Sequence, residues 1–587
     1  MSPFEREEYM DNLSYFQMRA YLSTRENNGK VKLKISELEN IWHCTLKNVK
    51  RKLKQFEEKG NIRYEPGRGR GNLSTIFFNN PFWDEFDEAI QKRLTEEQID
   101  EVIKLLQLDI PETWLHHYSN QVQSLFGLKS NHRSKDVLRT IFTRKLTTLD
   151  PLFCSISRES YFIQQLGDTL VTYNEGKDCI EPHLAHAWES MDKEKVWIFY
   201  LRKGVRFHHQ KTLTSEDVKY TFERFQRLDS PYHWLVENIK QITCPNPTTV
   251  CFELKHPNPF FIRYVSAANL VILPSDISFD EWNWIGTGPF KMKERTESKL
   301  VLEAFDDYFK ERPLLDEVQF WRVSPGTVNG ISYQVDRSKQ LSLSKRKEFI
   351  EPGFHFLAFN FHQNNFVQDI SFRKAIYHIL NIPKMWKDLK RNNLVEASSF
   401  VPERSRPLTK TCDFIPALLQ NSSYKGEKII TYALNRPRDL EEAEWFQKEA
   451  KKAGVNIAVK LFDMEEIYSP FLDNDADLLF LGEVATLDQH LSFLGAFYNK
   501  ALIFRRFLSP DDLKKIDSML EDFKKVKSRE EREEIIFKIE RYIKDKFLFI
   551  FMYHPLKTKF FDPMLKNIEA DSFTHINLRK LWIKTEG

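Results

Sequence analysis

Apolar positions follow two different rhythms along this chain. In roughly the first quarter they recur at helical intervals. Beyond residue 135 short apolar runs alternate with amphipathic stretches. Tyr9, Leu13, Phe16, Met18, Ala20 and Leu22 predict a helix that Asn27-Asn28-Gly29 ends. Residues 32–35 read as a short extended piece. Ser36 with Glu39 three residues on has the form of a capping box and predicts a helix over 37–42. After a turn at His43-Cys44, Thr45 offers a second cap. Leu46, Val49, Leu53 and Phe56 then share one helical face, and Gly60 stops that helix. Residues 62–64 and 73–78 read as strands joined by a long glycine-rich turn. Ile99, Val102, Ile103, Leu105 and Leu106 return to helical spacing before Pro111, so residues 81–135 are expected to form a helical connector.

The remainder predicts strands at 166–173, 196–201, 250–254, 300–304, 354–360, 429–433, 456–462, 478–481 and 548–553. Helices are expected at 215–226, 372–380, 440–453 and 528–545. Such mixing indicates an α/β or α+β domain, or a pair of lobes. A length of 587 residues suggests three to four domains. The longest apolar runs, such as 547–553, fall short of the ~18–20 residues of a membrane span. The first residues carry no basic n-region or apolar h-region, so no secretory signal and no membrane association are expected, and a cytoplasmic location is. Six cysteines at irregular spacing, without a Cys-x-x-Cys, fit a reducing compartment.

Charge adds a third distinction. The chain as a whole carries a formal net charge of +3, yet residues 28–75 hold twelve basic side chains against five acidic ones. A basic module attached to a near-neutral remainder follows. A lysine-rich helix alone reads as a solvated face. The order helix, turn, basic helix and Arg/Gly ribbon instead predicts a winged helix-turn-helix. Its apolar stripe docks on a small core and its polar face offers Thr45, Lys47, Asn48, Lys50, Arg51 and Lys54 to the major groove of double-stranded DNA. Arg68 and Arg70, set between glycines, are placed to enter a minor groove or clamp phosphates. Gly67-Arg-Gly-Arg-Gly71 is not read as a dinucleotide loop, because a strand follows it and no βαβ unit surrounds it.

Residues 36–78, ending Glu65-Pro-Gly-Arg-Gly-Arg-Gly-Asn-Leu-Ser74, resemble the N-terminal DNA-binding domain of the SgrR family of transcriptional regulators. That family couples such a domain to a cytoplasmic solute-binding domain. A second resemblance covers about residues 136–587. Leu201-Arg-Lys-Gly-Val-Arg-Phe-His-His-Gln210, Leu213-Thr-Ser-Glu-Asp-Val218, Gly286-Thr-Gly-Pro-Phe290, Phe305-Asp-Asp-Tyr-Phe-Lys310 with Pro313-Leu-Leu-Asp316, and Phe359-Asn360 with Phe372-Arg-Lys-Ala375 follow the signature of the oligopeptide/dipeptide/nickel class of solute-binding proteins. Most of these signature residues are expected to be structural, with Asp217 starting its helix.

The resemblances imply a multidomain fold: a winged helix at 1–80, the connector at 81–135, and a bilobal periplasmic-binding-protein-like domain (type II, cluster C style) at 136–587. Lobe 1 is expected at about 136–354 and 536–587, and lobe 2 at about 355–535. Peptide-binding relatives hold the ligand's amino group on an aspartate after a lobe-2 strand. The matching stretch here points to Glu483 and Asp488, and Trp284 and Phe356 are expected to line the cleft.

The expected function is a one-component transcriptional regulator that senses a small solute, whether sugar phosphate, sugar or peptide. The alternative is the receptor of an ABC-type peptide or nickel transporter. No Gly-x-Ser-x-Gly, P-loop or His-Glu-x-x-His is present, so no enzyme is expected, and no cofactor or metal. His183 with His186, His208-His209 and His116-His117 read as surface or hydrogen-bonded histidines. A homodimer is an expectation, since many winged-helix proteins read paired half-sites.

Overall fold

The computed structural model describes residues 3–67, 73–130, 135–323, 332–333, 345–350, 353–363, 365–391, 394–406, 414–484, 488–561, 565–568 and 576–584. Arg68 and Arg70 lie outside them.

The N-terminal unit begins with α1 (Pro3–Ser23) and β1 (Lys30–Leu33), joined through a turn in which Asn28 and Gly29 take left-handed backbone angles. Then come α2 (Ile35–Trp42), α3 (Leu46–Glu58), β2 (Ile62–Glu65) and β3 (Ser74–Phe78). The strands form an antiparallel sheet in the order β1-β3-β2. This is winged-helix architecture. The capping expectation shifts: α2 starts at Ile35, and Glu37 rather than Glu39 turns back to accept the Lys34 N–H at 2.8 Å. His43 occupies the left-handed region at φ 46°, so the turn between α2 and α3 falls where His43-Cys44 was expected. The wing's base is tied by Ser74, whose hydroxyl meets the Tyr64 hydroxyl and accepts the Gly67 N–H, both at 3.1 Å.

The helical connector expected over 81–135 packs against the winged helix. It supplies α4 (Phe82–Thr95), α5 (Ile99–Leu106) and α6 (Glu112–Ser124). Phe86 meets Phe16 edge-on at 5.8 Å, Tyr15 donates to Glu85 at 2.6 Å, and one apolar core contains Val49, Leu53, Phe56, Phe86, Ile103 and Tyr118. Two aromatic-rich faces each need a partner, and each is the other's.

The same core reaches beyond the N-terminal unit. β4 (Gly127–Ser130) pairs antiparallel with β5 (Asp136–Phe142), and β5 lies parallel to the strand Glu317–Arg322 in a sheet with Lys299–Ala304 and Phe290–Arg295. Side chains alternate across this sheet with the period of two that strands impose. Leu138, Val318 and Phe320 enter the lobe-1 core, while Ile141, Trp321 and Val323 enter the core of the N-terminal unit. Gln107, the C-cap of α5, donates to the Arg322 carbonyl at 2.7 Å, and Lys299 pairs with Asp100 at 3.6 Å while lying over Trp321. Lobe 1 adds an antiparallel sheet of Ile239–Asn246, Thr249–Leu254, Val196–Leu201 and Ala185–Met191.

Lobe 2 is built on a mixed sheet running Phe549–Phe561, Gly353–Phe359, Leu478–Val484, Ile429–Leu434 and Ile457–Phe462. The expected lobe boundaries change accordingly. The helix Arg529–Lys546 and the strand Phe549–Phe561 belong to lobe 2, because that strand's pairing partners include 353–359 and 394–396. The C-terminal return to lobe 1 comes after residue 561, where Leu565, Ile576, Leu578 and Leu581 join the lobe-1 core. The strand expected at 166–173 is instead the end of the helix Ser157–Leu166 and a short strand, Val171–Asn174.

The signature motifs lock lobe 1 together. Asp217 is fully buried. One carboxylate oxygen accepts the Thr214 N–H at 2.8 Å, and the other takes the Ser275 N–H at 2.8 Å and Lys211 at 2.5 Å. The Gly286-Thr-Gly288 turn is held by the Leu166 carbonyl, which accepts the Gly288 N–H at 3.0 Å, and by His208, whose ring contacts the Gly288 carbonyl and the Gly286 N–H. Burial holds the His208 imidazole down to about 4, so it stays neutral here at physiological pH. A Cβ on Gly288 would lie 2.4–2.6 Å from Leu166, Gln165 and Gly167 backbone atoms. Gly288→Ala is therefore expected to cost about 1–3 kcal/mol, as overpacking does, read as a lower denaturant midpoint. An unchanged midpoint would show that the turn relaxes freely.

Candidate functional site

Two surfaces carry the candidate residues. On α3, Val49, Leu53 and Phe56 are buried, while Thr45, Lys47, Asn48, Lys50, Arg51 and Lys54 are exposed. The 3-4-3 apolar spacing thus turns one face inward and leaves every sequence-identified polar candidate on this helix facing solvent. Leu46, expected within the apolar stripe, is exposed, because the first turn of α3 projects past the small core. Lys54 sits 3.5 Å from Glu58, an exposed i,i+4 pair of little energetic weight. Lys52 is drawn back instead, donating to Ser14 at 2.7 Å.

The second surface is the cleft between the lobes, a cavity of about 410 Å³. Lobe 1 supplies Ser155, Asp168, His183, Tyr232 and Trp234 to its wall, and lobe 2 supplies Tyr468, Glu483, Asp488, Ser492 and Asn499. Of the four sequence-identified ligand residues, Glu483 and Asp488 reach it. Trp284 and Phe356 do not. Trp284 is buried in lobe 1, donating to the Leu149 carbonyl at 2.8 Å beneath the tight Gly167 and Gly286 backbone. Phe356 sits mid-strand in a lobe-2 aromatic cluster with Phe354, Phe504 and Phe549. Both positions are core, which is where large aromatics usually lie.

The two carboxyls differ. Asp488 caps the helix Gln489–Tyr498, accepting the Leu491 N–H at 3.0 Å, and meets Arg263 of lobe 1 in a two-pronged pair at 2.5 Å on each prong. Arg263 also reaches Asp178 at 3.2 Å and lies over the Tyr173 ring. Asp488 is thereby an interlobe tie and not an open amine anchor. Next to it, Arg532 donates to His490 at 3.0 Å, and His490 contacts Glu533 at 2.8 Å. Burial, with Arg263 and Arg532 nearby, holds the His490 imidazole down to about 3. Glu483, by contrast, has no partner among the described residues, and burial pushes its carboxyl up to about 8.

Further contacts close the lobes on each other. Trp234 stacks on Tyr498 with centroids 5.7 Å apart, Phe260 meets Phe523 at 5.5 Å, Lys527 pairs with Glu194 at 2.5 Å, and the Ser155 and Tyr468 hydroxyls bond directly. Arg263, Trp234 and Asn499 stand in no motif. Arg263 alone left a trace in the sequence: a cation inside the apolar run Phe260-Phe-Ile-Arg-Tyr-Val265, where only a buried pair makes sense of it.

Residues 180–503 match the middle region of the bacterial extracellular solute-binding proteins, family 5, and residues 13–126 match the N-terminal region of the sugar transport-related sRNA regulator. The latter range takes in both the winged helix and α4–α6. The chain is 29% identical to the uncharacterized protein YhjP of Bacillus subtilis, over 94% of this chain and 95% of that one. It is 26% identical to the HTH-type transcriptional regulator SgrR of Photorhabdus laumondii over 335 residues, a match that covers 55% of this chain and 57% of the regulator. Among solved structures, the periplasmic binding protein DppA of Helicobacter pylori in complex with the peptide STSA superposes with a TM-score of 0.66 at 19% identity, over 76% of this chain and 98% of DppA. Among the described residues, no helix is long and apolar enough to cross a membrane. More than half of the chain lies within the solute-binding match and its fold agrees: the chain belongs to the bacterial extracellular solute-binding proteins, family 5, with an SgrR-type N-terminal domain fused ahead of the lobes.

Proposed function

We propose that this chain is a cytoplasmic one-component transcriptional regulator. Its winged helix binds double-stranded DNA, a small solute binds between its lobes, and the two events are coupled. The observation that carries the DNA reading is the outward face of α3, on which Thr45, Lys47, Asn48, Lys50, Arg51 and Lys54 are all exposed opposite a buried apolar stripe. A helix of this kind fits the major groove, with the lysines and Arg51 neutralising phosphates and Thr45 and Asn48 near base edges. Arg68 and Arg70 complete the surface in this proposal. The relatives support it: one is named an HTH-type transcriptional regulator.

Solute sensing needs two lobe arrangements with different affinities for the solute. The closed arrangement is held by Arg263 and Asp488 at the edge of the cavity. Such a pair costs much desolvation and holds only while both partners are present. The solute then adds its own contacts to closure, and the shift reaches the winged helix through lobe 1.

Two outcomes follow. On DNA upstream of the chain's own gene, Lys50→Ala and Arg51→Ala are each expected to weaken binding about tenfold and to lower the slope of log affinity against log salt by about 0.9 per lost phosphate contact. Fluorescence anisotropy at several salt concentrations reads both quantities, with Lys203→Ala in lobe 1 as the control. An unchanged slope would remove α3 from the interface. Arg263→Ala strands the Asp488 carboxylate, and loss of one partner from a buried pair costs about 3–5 kcal/mol, so the lobes are expected to open. A larger radius of gyration in small-angle X-ray scattering would show it, and an unchanged radius would mean that the aromatic contacts alone hold the lobes shut.

A further inference from the structure

The basic surplus of residues 28–75 is larger than the α3 surface uses. Of its twelve basic side chains, α3 carries five and the turn 66–73 carries Arg68 and Arg70. Four of the other five, Lys30, Lys32, Lys34 and Arg63, lie exposed on or beside the three-stranded sheet. The alternation of β1 turns Val31 and Leu33 into the core and Lys30 and Lys32 out to solvent. On the same outer face Phe77 of β3 stands between Lys30 and Arg63, in register with both. The Lys30 ammonium lies 5.2 Å and the Arg63 guanidinium 4.2 Å from the centre of its ring.

Among the described residues, Lys30, Lys32 and Lys34 have no carboxylate partner, and the one acid among the outward strand positions, Glu65, sits 3.4 Å from Arg63. Lysine on an edge strand discourages pairing with another chain, which accounts for β1. It does not account for Phe77, which lies on the central strand with a cation laid over its ring from each side. Cations stacked on a ring are held in place, so they lose less freedom when they meet an anion. Lys30 and Lys32, two residues apart on one strand, stand about 7 Å apart. Over that distance each can meet its own phosphate on a DNA strand that carries one charge per about 3.4 Å of helix axis. The face also runs on toward the turn. Leu33 pairs with Ser74 and Glu65 with Thr75, so Lys32 and Lys34 stand at the end of the sheet from which residues 66–73 depart.

We propose that the outer face of this sheet is a second contact with double-stranded DNA, in which Lys30, Lys32, Lys34 and Arg63 hold phosphates that flank the site read by α3. This rests on the winged helix binding DNA. Its chemistry is that of backbone contact: it strengthens binding to any sequence and lengthens the DNA that the chain covers, while the choice of site stays with α3.

The test uses the full-length chain on DNA upstream of its own gene, with the double variant Lys30→Ala/Lys32→Ala. The slope of log affinity against log salt is expected to fall by about 1.8, at about 0.9 for each lost phosphate contact. Lys32→Ala alone, which leaves the Phe77 stack intact, is expected to lower it by about 0.9. Hydroxyl-radical footprinting at saturating protein is expected to show the double variant losing protection at the outer edge of the footprint and keeping it in the middle. An unchanged slope with an unchanged footprint would overturn the proposal and leave α3 as the DNA contact. A lower slope with the whole footprint kept would place the lysines within the site that α3 reads and overturn the flanking assignment. Absence of salt-dependent binding by the unaltered chain would overturn the DNA reading itself, and this proposal with it.

Discussion

Trp321 is the point on which the architecture turns. It sits on a lobe-1 strand, yet its side chain belongs to the core of the N-terminal unit, with Ile141 and Val323 beside it. Its neighbour Phe320 points the other way, into lobe 1. One sheet is therefore apolar on both faces and has to be covered on both, by the solute-binding lobe on one side and by α4–α6 on the other. Burying a tryptophan and two branched side chains is worth several kcal/mol at about 1.5–3 kcal/mol for each large apolar side chain, and Gln107 and Lys299 add polar ties at the rim. The N-terminal unit and lobe 1 consequently share apolar core through Ile141, Trp321 and Val323. The segment between them is a structural wedge that shares its aromatic core with both.

That constraint decides how a signal could travel. If the N-terminal unit cannot swing against lobe 1, the movable part is lobe 2, and what moves it is the set of contacts along the cleft. Arg263 and Asp488 form a buried two-pronged pair among these, with Asp488 in the cavity wall. Among the described residues the cavity wall carries no lysine or arginine, and burial pushes the Glu483 carboxyl up to about 8. A buried charged pair ties the lobes at the edge of the cavity.

The sequence showed the architecture far better than the site. The α3 stripe, the His43 turn, the wing strands and the helices Ser215–Arg227 and Arg529–Lys546 all follow from local spacing and punctuation, and they stand where that spacing put them, within a few residues. The signature motifs were legible for the same reason: Asp217 and the Gly286-Thr-Gly288 turn answer to backbone geometry within a short span. The cleft was not legible. Trp234 and Asn499 approach it from different lobes, 265 positions apart, and no periodicity links them. Trp284 and Phe356 were misassigned because an aromatic residue looks the same in a core and in a pocket. Asp488 lies in the cleft wall, but its partner Arg263 is remote in sequence, so its role as a tie was hidden. The extent of the N-terminal unit was underestimated too, since the faces of α4–α6 reveal their partner only once folded.

Native-state hydrogen exchange tests the shared core most directly, by following amide protection in α4, α5 and the strand Glu317–Arg322 as denaturant is raised. If the winged-helix unit and lobe 1 are one cooperative body, these amides will converge on a single opening free energy, because none can be exposed without unpacking Trp321. If α4 and α5 instead exchange through a separate, lower-energy opening while the 317–322 strand stays protected, the unit is an independent domain, and the coupling route through lobe 1 is wrong.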